Sequence, residues 1–152
     1  MSKNLDMISY CGLYCGDCFG HTQKIADMAR DLRKEFRNNR FDKLAPVFAE
    51  IPFFKEFKDY DKCYNLLGLL VKLRCNKMCR GGGGGSPTCA IRICAKMKKL
   101  DGCWQCDEFN TCEKLKVLEG HHGKAVIKNL RKLKKDGPAE FIKGKKYWYT
   151  AK

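Results

Sequence analysis

Ten cysteines of this chain fall into four tight clusters, Cys11-x3-Cys15-x2-Cys18, Cys75-x3-Cys79, Cys89-x4-Cys94 and Cys103-x2-Cys106-x5-Cys112, and an eleventh, Cys63, stands alone. A two-residue spacer lets the backbone reverse and aim both sulfurs at one point. A tetrahedral structural site then takes two more ligands from elsewhere in the chain. Four clusters supply enough thiolates for two all-cysteine sites, with some to spare. Size alone does not demand such staples, because a chain of 152 residues buries roughly two-thirds of its unfolded surface. The cysteines therefore mark these ten positions as metal ligands, with zinc, two ions per chain, as the expected cofactor.

The compartment bears on the same question. Met1 to Tyr14 has no long apolar run, and no stretch reaches the length of a membrane helix, so the expected location is the cytoplasm, away from membranes. Thiols stay reduced there, and an odd number of cysteines does not close into a complete set of internal disulfides.

Apolar periodicity predicts a mostly α fold: one small helical domain, residues 1–152, with cysteine-rich metal-binding loops at 10–21 and 75–112. A helix from about Thr22 to Asn38 carries Ile25, Met28, Ala29, Leu32 and Phe36 at helical spacing, with Thr22 as its N-cap. The aromatic-rich stretch Phe41 to Tyr60, broken by Pro46 and Pro52, reads as short helices. A second helix from about Asp61 to Arg74 places Cys63, Leu66, Leu67, Leu70 and Leu73 on one stripe, which makes Cys63 a small buried hydrophobe rather than a ligand. A short helix through Ile91, Cys94, Met97 and Leu100 separates two metal loops. Further helices are predicted at about Thr111–Leu118 and Lys124–Asp136, then a stop at Gly137 and a restart at Pro138.

Other motifs are weaker. Gly81 to Gly85 followed by Ser86-Pro87 lacks the lysine and the helix start of a phosphate-binding loop, and reads as a turning surface loop. His21 is either a further ligand or a solvent-facing cap, and His121-His122, between two glycines, reads as a mobile turn. Cys103-Trp104-Gln105-Cys106 follows what looks like a helix end rather than a strand, which argues for a metal knuckle over an active dithiol. Iron–sulfur ligation is the main competitor of zinc, since thiolates suit both. The spacing of Cys11, Cys15 and Cys18 matches that of radical S-adenosylmethionine enzymes, but this chain is too short and too helical for their barrel.

The formal charge is +14, and residues 113–152 hold twelve Lys or Arg against four Asp or Glu. Nucleic acid or another polyanion is the partner class such a surface favours. Arg131, Lys132, Lys134, Lys135, Lys145 and Lys146, with Trp148, are the candidate contacts, cations for phosphates and a ring for unpaired bases. The competing reading is a solvated helix face whose aromatic residues dock the C-terminus onto the core.

The run Cys11-Gly12-Leu13-Tyr14-Cys15-Gly16-Asp17-Cys18 resembles the signature of a prokaryotic cysteine-rich family, domain of unknown function 3795. Cys79-Arg80-Gly81-Gly82, Cys89 to Ala95 and Cys103 to Phe109 look like the rest of it, and Lys128 to Lys132 with Gly137 and Phe141 is similar to longer members. The resemblance implies a metal-binding protein of unassigned activity. Where the family has a shorter C-x-G-C, this chain has Cys75-Asn76-Lys77-Met78-Cys79, which leaves Cys75 the least constrained ligand. The resulting expectation is a zinc-stabilised interaction module without bond chemistry of its own. A basic zinc-dependent nucleic-acid-binding protein and an iron–sulfur or thiol redox protein are the alternatives.

Overall fold

The computed structural model describes residues 2–84 and 86–150; Gly85, the last of the five-glycine run, lies outside them. Among the described residues the chain is helical, with no strand and one isolated antiparallel bridge between Ile8 and Tyr14. The mostly α expectation holds. No helix is long and apolar enough to cross a membrane. Contacts divide the chain into two compact units, Met1–His21 with Cys75–Lys152, and Thr22–Arg74. Ten of the cysteines belong to the first and only Cys63 to the second.

The Thr22–Arg74 unit contains helices Lys24–Asn38, Phe41–Ala49 and Tyr60–Lys72, with a 3-10 segment Pro52–Asp59. Gln23, not Thr22, occupies the N-cap position, with a left-handed φ of 59°. Arg40 takes φ 52° and turns the chain between the first two helices. Pro46 does not break its helix: at the sixth position it removes one intrahelical bond, and aromatic contacts hold the segment. Pro52 does start a new element, at the first turn where its missing N–H costs nothing.

Cohesion here comes from rings and small residues. Only Ala26, Ala29 and Ala45 are fully buried, while Phe36 stacks on Phe41 at 4.9 Å and Phe48 meets Phe57 edge-on at 5.4 Å. Arg33 lies 4.3 Å from the Tyr64 ring centroid, and Arg74 bonds Asp27 at 2.6 Å. The expected stripes hold only in part: Ala29 is buried and Phe36, Leu67 and Leu70 are half-buried, but the other members face solvent. Cys63 is exposed, as are Leu66 and Leu73, because the Tyr60–Lys72 helix turns Tyr64 and Gly68 toward Arg33 instead. Ile25, Met28 and Leu32 are likewise exposed beside the buried alanines. When two adjacent stripes are both apolar, spacing alone does not choose between them.

The other unit has a conventional core: Ile8, Leu13, Ile91, Trp104, Phe109, Leu115, Val126, Leu130, Leu133 and Phe141. Its spine is the Ala125–Lys143 helix, which buries Val126, Asn129, Leu130 and Leu133 at spacings of three and four and is broken at Gly137, φ 77°. The expected stop and restart at Gly137-Pro138 is therefore present. The predicted helix near Thr111–Leu118 is divided into Phe109–Thr111, a 3-10 turn, and Glu113–Lys116, and the helix through Ile91 runs Ala90–Met97. Gly12 is required twice over: its φ is 81°, and a Cβ there would come within 2.9 Å of Leu130 Cδ2.

Two polar side chains organise this unit from inside. Arg92 is 4 % exposed and donates to the carbonyls of Gly83, Ser86 and Pro87 at 2.8, 3.0 and 2.7 Å, with a longer bond of 3.4 Å to Cys79. It gathers the glycine-rich loop into a turn that has almost no apolar content of its own. Asn129, wholly buried, donates to the Tyr147 carbonyl at 2.7 Å and accepts from the Tyr147 N–H at 3.0 Å. The C-terminal segment is thereby fixed to the spine, and Trp148 packs against the core. His121 and His122 form no mobile turn but the end of a short helix, Glu119–His122. His122 is buried and bonds the Trp148 carbonyl at 2.7 Å through Nδ1, which must carry the proton because a carbonyl only accepts.

Candidate metal centres

The two C-x2-C loops adopt one backbone solution. Cys15–Asp17 and Cys103–Gln105 are single 3-10 turns, closed by Cys18 N–H to Cys15 O at 3.0 Å and Cys106 N–H to Cys103 O at 3.1 Å. Cys18 and Cys106 then leave in extended conformation, with ψ of 124° and 134°. The spacers differ, Gly16-Asp17 in one and the core residue Trp104 with Gln105 in the other, and the three-residue period of the turn brings the two cysteines of each pair to the same side of it. Cys89 and Cys112 occupy equivalent places at the N-caps of Ala90–Met97 and Glu113–Lys116.

Four cysteines line one cavity of about 370 Å³: Cys94 from the Ala90–Met97 helix, Cys103 and Cys106 from their 3-10 turn, and Cys112. Leu100, Phe109 and Leu115 form apolar walls. Burial is the main cause that pushes the Cys103 thiol up to about 12, and thiolates at Cys11, Cys112, Cys106 and Cys94 would push it in the same direction. A pKa raised this far keeps the Cys103 thiol protonated and neutral near pH 7, and a cation bound beside it would favour the thiolate. Lys98 stands 3.9 Å from Cys106 Sγ and 3.3 Å from Glu108 Oε2, a positive charge at the rim.

A second group surrounds Cys15. Burial raises its pKa, a backbone hydrogen bond from Cys79 lowers it, and charges on Cys79, Cys18 and Cys75 would raise it again. Cys75 is thus brought beside the N-terminal turn; its N–H donates to Gly20 O at 2.9 Å. The buried Nδ1 of His21 has no hydrogen-bond partner among the described residues, while the His21 N–H bonds Cys18 O at 3.0 Å. Cys11 is close enough to Cys79, Cys89 and Cys103 to interact with them electrostatically. Burial of its thiol raises it to about 11 against the Ser9 hydroxyl, 3.0 Å away, and the Leu13 backbone.

All eleven cysteines are free thiols. Among the described residues no three Cys, His, Asp or Glu side chains are already grouped so as to hold an ion. The donor chemistry nevertheless suits a soft or borderline divalent metal: thiol sulfur beside apolar walls, with the Lys98–Glu108 ion pair at the rim.

The basic candidates separate. Arg131 is tied to Asn110 Oδ1 at 3.0 and 2.9 Å, and Lys134 to Asp107 at 2.8 Å. Lys146 bonds Ile142 O at 2.8 Å and lies over Tyr14, while Trp148 meets His122 edge-on at 5.0 Å. Lys135 is exposed. Lys132 and Lys145 come together at Tyr147, 6.0 and 5.2 Å from its ring centroid, and are joined there by Lys128 at 5.4 Å. Sequence reasoning missed Lys128, Arg92 and Asn129. The signal for the last two was a polar residue inside an apolar helical stripe, between Ile91 and Ile93 in one case and beside Val126 and Leu130 in the other.

No curated protein and no solved structure matches the chain. A family model described as protein of unknown function (DUF3795) matches residues 7–117, which span every one of the eleven cysteines. The chain belongs to the DUF3795 family.

Proposed function

We propose that this chain is a thiolate metal-binding protein in which two zinc ions close the cysteine-bearing unit, and that it serves as an interaction module rather than as a catalyst. The observation that carries this reading is that Cys94, Cys103, Cys106 and Cys112 all line one cavity. Cys15, Cys18, Cys75 and Cys79 supply the second donor set, and the unpartnered Nδ1 of His21, three residues beyond Cys18, is a further candidate donor. Cys11 and Cys89 lie beside the two sets as further donors. Ion binding requires the thiols to deprotonate and turn inward.

The energetics favour a structural role. A closed zinc site contributes on the order of 10 kcal/mol, much of it coupled to folding. That is comparable with the whole stability of an ordinary domain, ~5–15 kcal/mol. Among the described residues of 75–89 there is no helix and little buried apolar surface, so metal ligation at the ends of this segment would supply what packing does not. Free thiols in such number fit a reducing compartment, the cytoplasm. The test is metal content in paired variants, purified without oxygen. Cys103→Ser with Cys106→Ser, and separately Cys15→Ser with Cys18→Ser, should each lose one zinc and keep the other. Full retention of metal by either double variant would remove that centre from the proposal.

A further inference from the structure

Tyr147 is held on the Ala125–Lys143 helix by both ends of the Asn129 amide, so its ring has a fixed place. Lys128 and Lys132 are one turn apart on that helix, and Lys145 reaches the same ring from the C-terminal segment. The Lys132 ammonium also donates to the Lys145 carbonyl at 2.6 Å. Three cations therefore surround one ring at 5.2 to 6.0 Å. Among the described residues none of them has an ion-pair partner, although Lys116, Lys134 and Lys143 on the same stretch of chain all do. Like charges at this spacing repel, by a few tenths of a kcal/mol even for one exposed helical pair. The ring quadrupole offsets only part of that repulsion, so the cluster keeps a net attraction for an anion.

We infer that Lys128, Lys132 and Lys145, arrayed on Tyr147, form a binding site for the phosphodiester backbone of single-stranded nucleic acid. Tyr149, two residues beyond Tyr147 in the chain and 57 % exposed, stacks on His122 at 6.0 Å and gives a base a ring to stack on from its outer side. A cation cluster beside an open ring fits a strand whose bases are unpaired; a duplex keeps its bases stacked on one another. An acidic peptide would use the cations and leave the ring idle. The inference is independent of the metal reading, because none of these residues carries a thiol.

The test is fluorescence anisotropy of the full chain with a labelled oligothymidylate of about twenty nucleotides, at about 50 and about 200 mM salt. The variant Lys128→Gln/Lys132→Gln/Lys145→Gln removes exposed or half-exposed charges, and an unchanged melting temperature would confirm that it folds. Its control, Lys55→Gln/Lys58→Gln/Lys72→Gln, removes the same charge from the Thr22–Arg74 unit. We expect the first variant to lose at least tenfold in affinity and about two units of salt slope, as three lost phosphate contacts dictate. The control should lose less than threefold, and Tyr149→Ala should weaken binding without changing the slope. Equal losses in the two triple variants would overturn the inference, reducing it to net charge. Absence of binding at the lower salt would do the same, as would tighter binding of polyglutamate than of the oligonucleotide.

Discussion

Replacing Arg92 by methionine tests how the cysteine-bearing loop is built. Methionine keeps the apolar stem and removes the guanidinium. Replacing a buried charge pair with an apolar pair is often neutral, because both desolvated partners disappear together. Here the partners are the carbonyls of Cys79, Gly83, Ser86 and Pro87, and they remain after the substitution. Three of the four bonds are 2.7 to 3.0 Å long. A hydrogen bond to a charged group contributes about 1.5–3 kcal/mol. Some carbonyls will turn to water as the loop loosens, so the net loss should be about 3–5 kcal/mol rather than the full sum. That is a large share of a domain's stability. Arg92→Lys should lose somewhat less, since one ammonium reaches fewer of the diverging carbonyls than a planar fork does. The assay is urea denaturation of wild-type and variant, each with and without excess chelator. Because the loop joins Cys79 to Cys89, the variant should also release metal faster. An Arg92→Met protein within about 0.5 kcal/mol of wild-type, with or without metal, would refute the reasoning.

Two other perturbations have defined outcomes. Gly12→Ala combines a left-handed φ with a Cβ 2.9 Å from Leu130 and should cost about 1–3 kcal/mol in a denaturant melt; Gly137→Ala meets no neighbour, but φ 77° with ψ 164° is a region essentially reserved for glycine, so it should also cost about 1–3 kcal/mol. Burial holds the His122 pKa below its ordinary value of 6.5, against the opposing bond to Trp148 and with help from His121. The unfolded chain then binds the proton more readily, so this stability is present above pH 6.5 and is lost as pH falls through the lower folded value. His122→Gln should flatten that part of the stability profile; a wild-type protein that gains stability between pH 7 and pH 5 would contradict the assignment.

How much of this was legible in the sequence follows from which interactions are local. The C-x2-C turns, the Ala90–Met97 helix and the break at Gly137-Pro138 depend on a few adjacent residues, and spacing revealed them. Docking of the C-terminal aromatics was also readable, since Trp148 and Tyr147 had few other uses in a basic tail. The burial of Cys63 was misjudged because the Tyr60–Lys72 helix offers two apolar stripes, and contact with Arg33 selects the one carrying Tyr64. The place of His122 depends on a carbonyl 26 residues away, and that of Arg92 on a loop whose glycines give no directional signal. The placing of Cys94, Cys103, Cys106 and Cys112 along one cavity lies between these cases. Spacing marked the donors, and only the fold groups them around a common cavity.

The most direct test of the metal reading is elemental analysis of freshly purified, anaerobic protein, combined with its visible spectrum. The account predicts two zinc ions per chain, no iron and no absorbance beyond the near ultraviolet. A brown protein carrying iron and inorganic sulfide would contradict zinc, and a protein that is fully folded with no bound metal would contradict the structural role itself.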